Sequence, residues 1–478
     1  MVLGAATLVV PASTGAADDG WTLRPLFTHA SDDPRTFAAF LSDDASTLVV
    51  QTENELLPDL APSDQTRVFT IDVASGAIRL AADDWRIIPE AVSPDGKLIV
   101  ASLQRDDGWF DVGLIDTSGV AHRLLLPESG VLAGVAFSGD GSALALSFMA
   151  ANQDHAQMFV VDVATGAIDD SLLFADGDLS DPRLSMDGSV LAFSSSANNL
   201  PVGPGHIGSD AVVLDRTTGV MSLAYTTDDG DIADEQSVVE AITADGSTVI
   251  IRSAARNLGG PRVSTVFMVP YLFDRATGTT TAVVLPIIAS VESGFGHPEV
   301  IESSADGARL LLDTSESLYV LDRPTGRLAD VARPPTGSRL TPVPGRFLGQ
   351  WMSADGRVVV YIAEAVEAEP GAAADVFVWT ATGTEFPGVQ TTPPTPQAPP
   401  TTEPPPTTEA PPTTEPPTEP QTTEPDRSPG VDIYEGWGCA ATAWLPGQPL
   451  ACPDSDGPWV AVKVLGRMVV RGVLFDEF

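Results

Sequence analysis

The chain is short of cysteine, of basic residues and of long apolar runs, and each shortage removes a class of protein. Cys439 and Cys452 are its two cysteines, and both fall in the last forty of 478 residues. Everything before them must hold together without a disulfide, and a bridge between these two forms only in an oxidising compartment. Lysine and arginine number 25 against 65 acidic residues, a formal charge of −40. Binding a phosphate backbone depends on basic side chains displacing counterions, so neither nucleic acid nor anionic lipid is an expected partner. No apolar run reaches the roughly 18 to 20 residues of a spanning helix, so no transmembrane segment is expected. The opening MVLGAATLVV runs into PASTGAADDG, which reads as the later part of an export signal without its basic start. Residues 1–20 are taken as that remnant, which places the protein outside the cell or in its envelope.

Signatures of chemistry are equally scarce. His29, His122, His155, His206 and His297 are scattered, with no HExxH and no pair at metal-binding spacing. Neither a GxSxG elbow nor a GxxxxGK[ST] loop occurs. GPGHIG at 203–208 satisfies GxGxxG, but it precedes the strand-like SDAVVLD and opens no helix, which argues against a dinucleotide site.

What the chain does have is repetition. A Ser or Thr, any residue, an Asp, then Gly or Ala introduces an apolar strand seven times, as in SPDGKLIVAS at 93 and SMDGSVLAFS at 185. The aspartates are Asp44, Asp95, Asp140, Asp187, Asp245, Asp306 and Asp355, spaced 45 to 61 residues apart, and Gly96, Gly141, Gly188, Gly246, Gly307 and Gly356 follow all but the first, where Ala45 stands. A second phrase alternates with it: IDVASG, IDTSG, VDVATG, LDRTTG, FDRATG, LDRPTG and finally VWTATG, where Trp379 is read in place of the Asp. Both phrases carry turn chemistry, with Asp accepting hydrogen bonds from the turn backbone and Gly supplying the left-handed conformation. Each unit therefore reads strand, tight turn, strand, variable loop, strand, tight turn, strand. The repeated aspartates have a complete structural explanation as turn residues.

Seven such units predict an all-β, seven-bladed β-propeller over residues 21–389, built from four-stranded antiparallel blades. WTLRPLFT at 21–28 is expected to close the ring by supplying the outer strand of the last blade. The SPDGxxhxhxS units with their hhhhD-x-x-TG partners resemble the WD40-like, TolB-like propeller repeats of bacterial envelope and secreted proteins. Residues 193–219 and 251–281 carry that likeness most closely. The resemblance implies the fold and not an activity, because this fold hosts many unrelated ones.

Beyond the repeats, residues 390–427 are almost entirely Thr, Pro and Glu, a composition that cannot bury apolar surface and prefers extended polyproline structure. At about 3.1 Å per residue it would reach roughly 100 Å, and it is read as a disordered spacer. Residues 428–478 are too few for a large core; a Cys439–Cys452 bridge is the expected staple, and WVAVKVL and MVVRGVLF suggest a hairpin.

Both turn phrases belong at one end of the blades, so the variable loops gather at the other. The longest are expected in blades 4 to 6: Ala197–Asp210, Ala254–Ser264, and the links Tyr225–Glu240 and Leu285–Glu302. The candidate binding surface is Asn198, Asn199, His206, Arg256, Asn257 and His297, with the acidic group Asp228, Asp229, Asp231, Asp234 and Glu235. That acidic stretch has the oxygen density for calcium but not the DxDxDGx5E order, so it is read as a solvated loop with no metal and no cofactor. The expectation is a monomeric, non-catalytic extracellular scaffold that recognises a protein or a glycan on this face. The alternative is a polysaccharide lyase or glycosidase with carboxylates in the channel.

Overall fold

The computed structural model describes residues 20–390, apart from 28–35, 54–55, 58–59, 61–65, 119–121, 170–174, 203–207, 228–230, 259–267, 284–298, 314–316, 333–341, 366–373, 384 and 388, together with 462–464 and 467–469. The chain divides into two units, Met1–Pro393 and Pro394–Phe478. Every regular element among the described residues is a strand.

The first strand is β1 (Trp21–Phe27). Blade 1 follows as β2 (Thr36–Leu41), β3 (Thr47–Thr52), β4 (Arg67–Asp72) and β5 (Ile78–Ala82). Blade 2 comprises β6 (Ile87–Val92), β7 (Leu98–Gln104), β8 (Phe110–Asp116) and β9 (His122–Leu124). Blade 3 has β10 (Gly130–Phe137), β11 (Ala143–Ala150), β12 (Gln157–Asp162) and β13 (Ile168–Asp169). β14 (Leu179–Leu184), β15 (Val190–Ser195), β16 (Asp210–Asp215) and β17 (Val220–Leu223) build blade 4. β18 (Ser237–Ile242), β19 (Thr248–Ser253), β20 (Val269–Asp274) and β21 (Thr279–Ala282) build blade 5. Blade 6 is β22 (Glu299–Ser303), β23 (Arg309–Asp313), β24 (Leu318–Asp322) and β25 (Arg327–Asp330). Blade 7 contains β26 (Pro342–Met352), β27 (Val358–Ala365) and β28 (Ala374–Ala381), and β1 pairs antiparallel with β28 as its fourth strand. β29 (Val389–Gln390) adds a fifth strand to blade 6. In the second unit, β30 (Val462–Val464) pairs with β31 (Arg467–Val469), a hairpin where the sequence suggested one. Cys439 and Cys452 lie outside the described residues.

The blades close into a ring, as the contacts between them show. The first strands β2, β6, β10, β14, β18, β22 and β26 each touch the first strands on either side, with β26 returning to β2. The buried core falls into seven clusters, each shared by two consecutive blades; one joins Leu26, Val360 and Val378 of blade 7 to Val50 and Ile71 of blade 1. A blade sandwiched this way is buried on both faces. Its middle strands are therefore buried at every position, as in VLAFSS of β15, and do not alternate.

The repeated turn phrase joins the first and second strands of each blade. In each blade the buried Ser or Thr hydroxyl donates to the Asp two residues on and accepts from the first N–H of the second strand; in blade 4, Ser185 Oγ donates to Asp187 at 3.0 Å and accepts Val190 N at 3.0 Å. The other six turns repeat both bonds, at 2.6–2.8 Å and 2.9–3.0 Å. The glycines adopt φ between +65° and +72°, and Ala45 adopts the same left-handed conformation at φ 56°, so blade 1 is as regular as the rest. The glycine has a second duty, because the neighbouring blade comes close. A Cβ on Gly246 would lie 2.8 Å from Val190 of blade 4, and one on Gly307 would lie 2.7 Å from Thr243 of blade 5.

The turns are also bonded to one another. Met186 N donates to Ala244 O, Ala244 N to Ala305 O, Ala305 N to Ala354 O and Ala354 N to Asp43 O, at 2.6–2.8 Å. Asp44 N reaches Pro94 O at 3.2 Å and Asp140 N reaches Met186 O at 2.8 Å. Six of the seven seams are thus tied by main-chain bonds between turns; among the described residues the turns of blades 2 and 3 share none.

The second phrase departs from expectation in blade 7. The Asp that ends the third strand pairs with the first residue of the second strand, Asp215 with Val190 and Asp274 with Thr248. In blade 7 the partner of Val358 is Thr380, so the phrase is one residue shorter and Trp379 does not occupy the Asp position. Trp379 is fully buried against the core shared by blades 6 and 7. The physical reason is connectivity: β28 is followed in space by β1, so no tight reversal is needed, and Thr382 N bonds instead to Gly20 O at 2.8 Å.

Candidate functional site

The two ends of the ring differ in what they offer. The turn residues Asp44, Asp95, Asp140, Asp187, Asp245, Asp306 and Asp355 with their neighbours occupy one end, and their carboxylates face the turn backbone. At Asp187, hydrogen bonds from Ser189 and Ser185 hold the carboxyl below the usual range, and at Asp245 those from Ser247 and Thr243 do the same. In the second phrase, Asp215 is drawn down to about 2 by Thr217 and Thr218.

At the other end, blades 4 and 5 fasten their long loops with the same device. In blade 4, Asp176 Oδ1 accepts Asn198 N at 2.7 Å and Asn199 N at 3.2 Å, while Asp176 N donates to Asn199 Oδ1 at 3.1 Å. In blade 5, Asp234 Oδ1 accepts Arg256 N at 2.7 Å and Asn257 N at 3.4 Å, and Asp234 N donates to Asn257 Oδ1 at 3.0 Å. Asn257 Nδ2 also donates to Ile232 O at 2.9 Å. Each bracket clips the loop after the second strand to the link that enters the blade. Inside the bracket the start of the loop turns on Ser195 and Ser253, whose hydroxyls accept Ala197 N and Ala255 N at 3.0 and 3.1 Å.

The sequence-selected residues therefore separate into groups. Asn199, Asp234 and Asn257 are fasteners within a blade. Asn198 and Arg256 contribute backbone to the brackets and leave their side chains exposed, as are Asp231 and Glu235. Asp231 sits in a narrow reversal, its N–H on Thr227 Oγ1 at 3.1 Å and its carbonyl accepting Thr227 N at 2.8 Å. His206, Asp228, Asp229 and His297 lie outside the described residues. The partner Asp176 was not selected from sequence, although an Asp three residues before the first strand and Ala-x-Asn after the second recur in blades 4 and 5, as ADGDLS with SANN and IADEQS with AARN.

A second grouping, also not selected, lies on the axis. Every first strand carries a register shift, for example between Val300 and Glu302 in β22 and between Ser180 and Arg183 in β14. Beside these bulges, Glu302 of blade 6 interacts electrostatically with Asp43 of blade 1 and Arg183 of blade 4. Groups from three non-adjacent blades meet only around the axis, so these side chains line the channel near the turn end. Glu302 accepts the Met352 N–H, and Arg183 Nε donates to Glu240 O at 2.7 Å. Burial raises the Glu302 carboxyl to about 8, with the Asp43 charge adding to it and Arg183 opposing it. Burial and then the neighbouring Asp44 raise Asp43 to about 6. Both side chains keep some water contact, as expected in a narrow channel where protein surrounds a wet group. Chemically, the set can exchange protons near neutral pH beside one fixed cation.

No family model and no curated protein matches the chain. Among solved structures it is similar to an oligogalacturonate lyase in complex with manganese, at 15% identity and TM-score 0.51 over 76% of this chain and 94% of that one. A second oligogalacturonate lyase, from Vibrio parahaemolyticus, matches at 12% identity and TM-score 0.51 over 75% and 93%. TolB from Acinetobacter baumannii matches at 15% identity over 78% and 82%, with a TM-score of 0.38. At such identities the two lyases establish the fold alone, a β-propeller of the kind the repeats predict.

Proposed function

We propose that the propeller is a non-catalytic extracellular binding scaffold that recognises a protein or a glycan through the long-loop face of blades 4 to 6. The observation that carries this reading is the paired bracket of Asp176 with Asn198 and Asn199 and of Asp234 with Arg256 and Asn257. Two consecutive blades spend hydrogen bonds on holding long loops in place while leaving Asn198, Arg256, Asp231 and Glu235 facing solvent. A surface ordered before its ligand arrives loses less entropy on binding. The absence of nucleic-acid-type charge, the spacer composition of 390–427 and the signal-like start support a partner outside the cell. The test is a binding screen of envelope proteins and glycans on the full chain, with and without calcium, repeated after shortening 197–210 and 254–264. Specific binding lost on shortening both loops is the expected result; binding indifferent to them counts against the reading.

The Asp43, Glu302 and Arg183 group favours a second reading, a lyase or glycosidase acting in the channel. It predicts turnover of a polysaccharide with a pH profile governed by groups near 6 and 8, abolished in Glu302→Gln. Turnover untouched by that change removes this reading.

A further inference from the structure

Among the described residues, two large aromatic side chains stand out on the long-loop face away from blades 4 to 6. Trp85, in the link between blades 1 and 2, is 42% exposed, and Trp109, in the loop between β7 and β8, is 37% exposed. Both belong to one connected surface. The Arg86 guanidinium lies over the Trp85 ring, 5.7 Å from its centroid, and pairs with Asp106 at 2.9 Å. Gln104 N donates to Arg86 O at 2.8 Å, joining the link to the loop, and the loop closes through Arg105 N on Trp109 O at 2.8 Å. Arg105 in turn pairs with Asp107 at 3.3 Å and Asp111 at 3.4 Å. Beside this surface opens a cleft of about 580 Å³ between the outer strand of blade 1 and blade 2. Leu80, Ala82, Leu103 and Ile115 form its apolar wall, and Asp84, Arg86 and Gln104 stand at its long-loop end.

We propose that this cleft and the flanking Trp85 and Trp109 form a binding site for a neutral glycan chain. Indole faces half-open to water cost free energy until an apolar surface covers them, and the C–H faces of a pyranose ring offer a flat one. Both guanidiniums here are already matched by carboxylates, so the site presents no bare positive charge for an acidic ligand, and the −40 charge of the chain repels one further. Each pair instead offers an acceptor and a donor side by side, which suits the hydroxyls of an uncharged sugar. The inference shares with the proposed function the view that the long-loop face is the recognising face, but it assigns a different site on it.

The test is affinity electrophoresis of the full chain in gels containing laminarin, xyloglucan, galactomannan or dextran, with heparin and poly-lysine gels alongside. Retardation by at least one neutral polysaccharide is expected, with a blue shift of tryptophan emission on addition of the same glycan in solution. The dissociation constant should rise at least tenfold in Trp85→Ala/Trp109→Ala, with the single changes between. Far-ultraviolet circular dichroism and melting establish that the variants fold; should the double change unfold the chain, Asp106→Ala and Arg86→Gln replace it. No retardation in all four neutral gels, retardation equal in the folded variants and the parent, or retardation by heparin or poly-lysine alone overturns the proposal. Glycan binding lost on trimming the blade 4 and 5 loops but kept in the tryptophan variants would leave the scaffold reading standing and sink this site.

Discussion

The two ends of the propeller are built from the same strands and obey different rules. At the turn end, seven reversals use one hydroxyl, one carboxylate and one left-handed residue each, and at six of the seven seams adjacent reversals bond through the main chain. At the other end the connections vary in length; among the described residues blades 4 and 5 share the Asp–Asn bracket, and the exposed tryptophans lie in blade 2 and the link that enters it. The contrast teaches that repetition here marks structure: what every blade needs is repeated, and what a ligand could use is found where repetition stops.

Substitution tests the contrast most strongly at the glycines. Gly246→Ala forces a Cβ to 2.8 Å from Val190 at φ +67°, whereas Gly278, in the second phrase at φ +69°, has nothing within 4 Å. A loss of about 2–4 kcal/mol is expected for the first, from clash plus backbone strain, against about 1 kcal/mol for the second. Chemical denaturation of both variants checks the gap; equal losses would mean that the inter-blade approach is unimportant.

Next comes the hydroxyl against the bracket. Ser185→Ala strands a buried N–H at Val190 and removes a donor to Asp187, at a cost of about 1–3 kcal/mol. Asn257→Ala removes bonds at an exposed loop and should cost less than about 1 kcal/mol globally, while amide exchange at 254–258 rises. A larger global loss from Asn257→Ala than from Ser185→Ala would invert the assignment of the two ends.

The channel supplies a pH-dependent test. An unfolded glutamate titrates near 4.3, and Glu302 in the fold near 8. Between these pH values the folded chain holds a proton that the unfolded chain releases, so this group lowers stability progressively as pH rises from about 4 to about 8. Glu302→Gln removes that slope and keeps an acceptor for Met352 N. Its melting temperature should gain on the parent at pH 9 relative to pH 4.5; an unchanged difference across that range would show Glu302 to be ordinarily titrating.

The smallest effect belongs to Ala45→Gly. Relief of left-handed strain is offset by the added freedom of the unfolded chain and by loss of a methyl that packs between blades 7 and 1, leaving a change of less than about 0.5 kcal/mol. A gain above about 1.5 kcal/mol would mean that blade 1 is strained after all.

The architecture was legible because each blade writes its turns in the same few letters, so seven weak signals reinforced one another, and the closing role of 21–28 followed from a strand missing at the end. Blade 7 misled at Trp379 because a phrase aligned by its glycine ignores that the fourth strand there comes from the other end of the chain. The brackets could be half-read: Asn199, Asn257 and Asp234 were selected, but as ligand groups and not as partners, since each Asp lies 23 residues from its Asn in the chain. Asp43, Glu302 and Arg183 carry no local signal at all, because only ring closure brings blades 1, 4 and 6 to one axis.

A hoop held by six clasps has a preferred place to part, and here it falls between blades 2 and 3. The opposite rim of that same boundary is stitched, since Gly130 of β10 pairs with Phe110 of β8 and merges the two blades into one eight-stranded sheet. Any breathing of the disc should therefore pivot on that stitch and gape at the turn end.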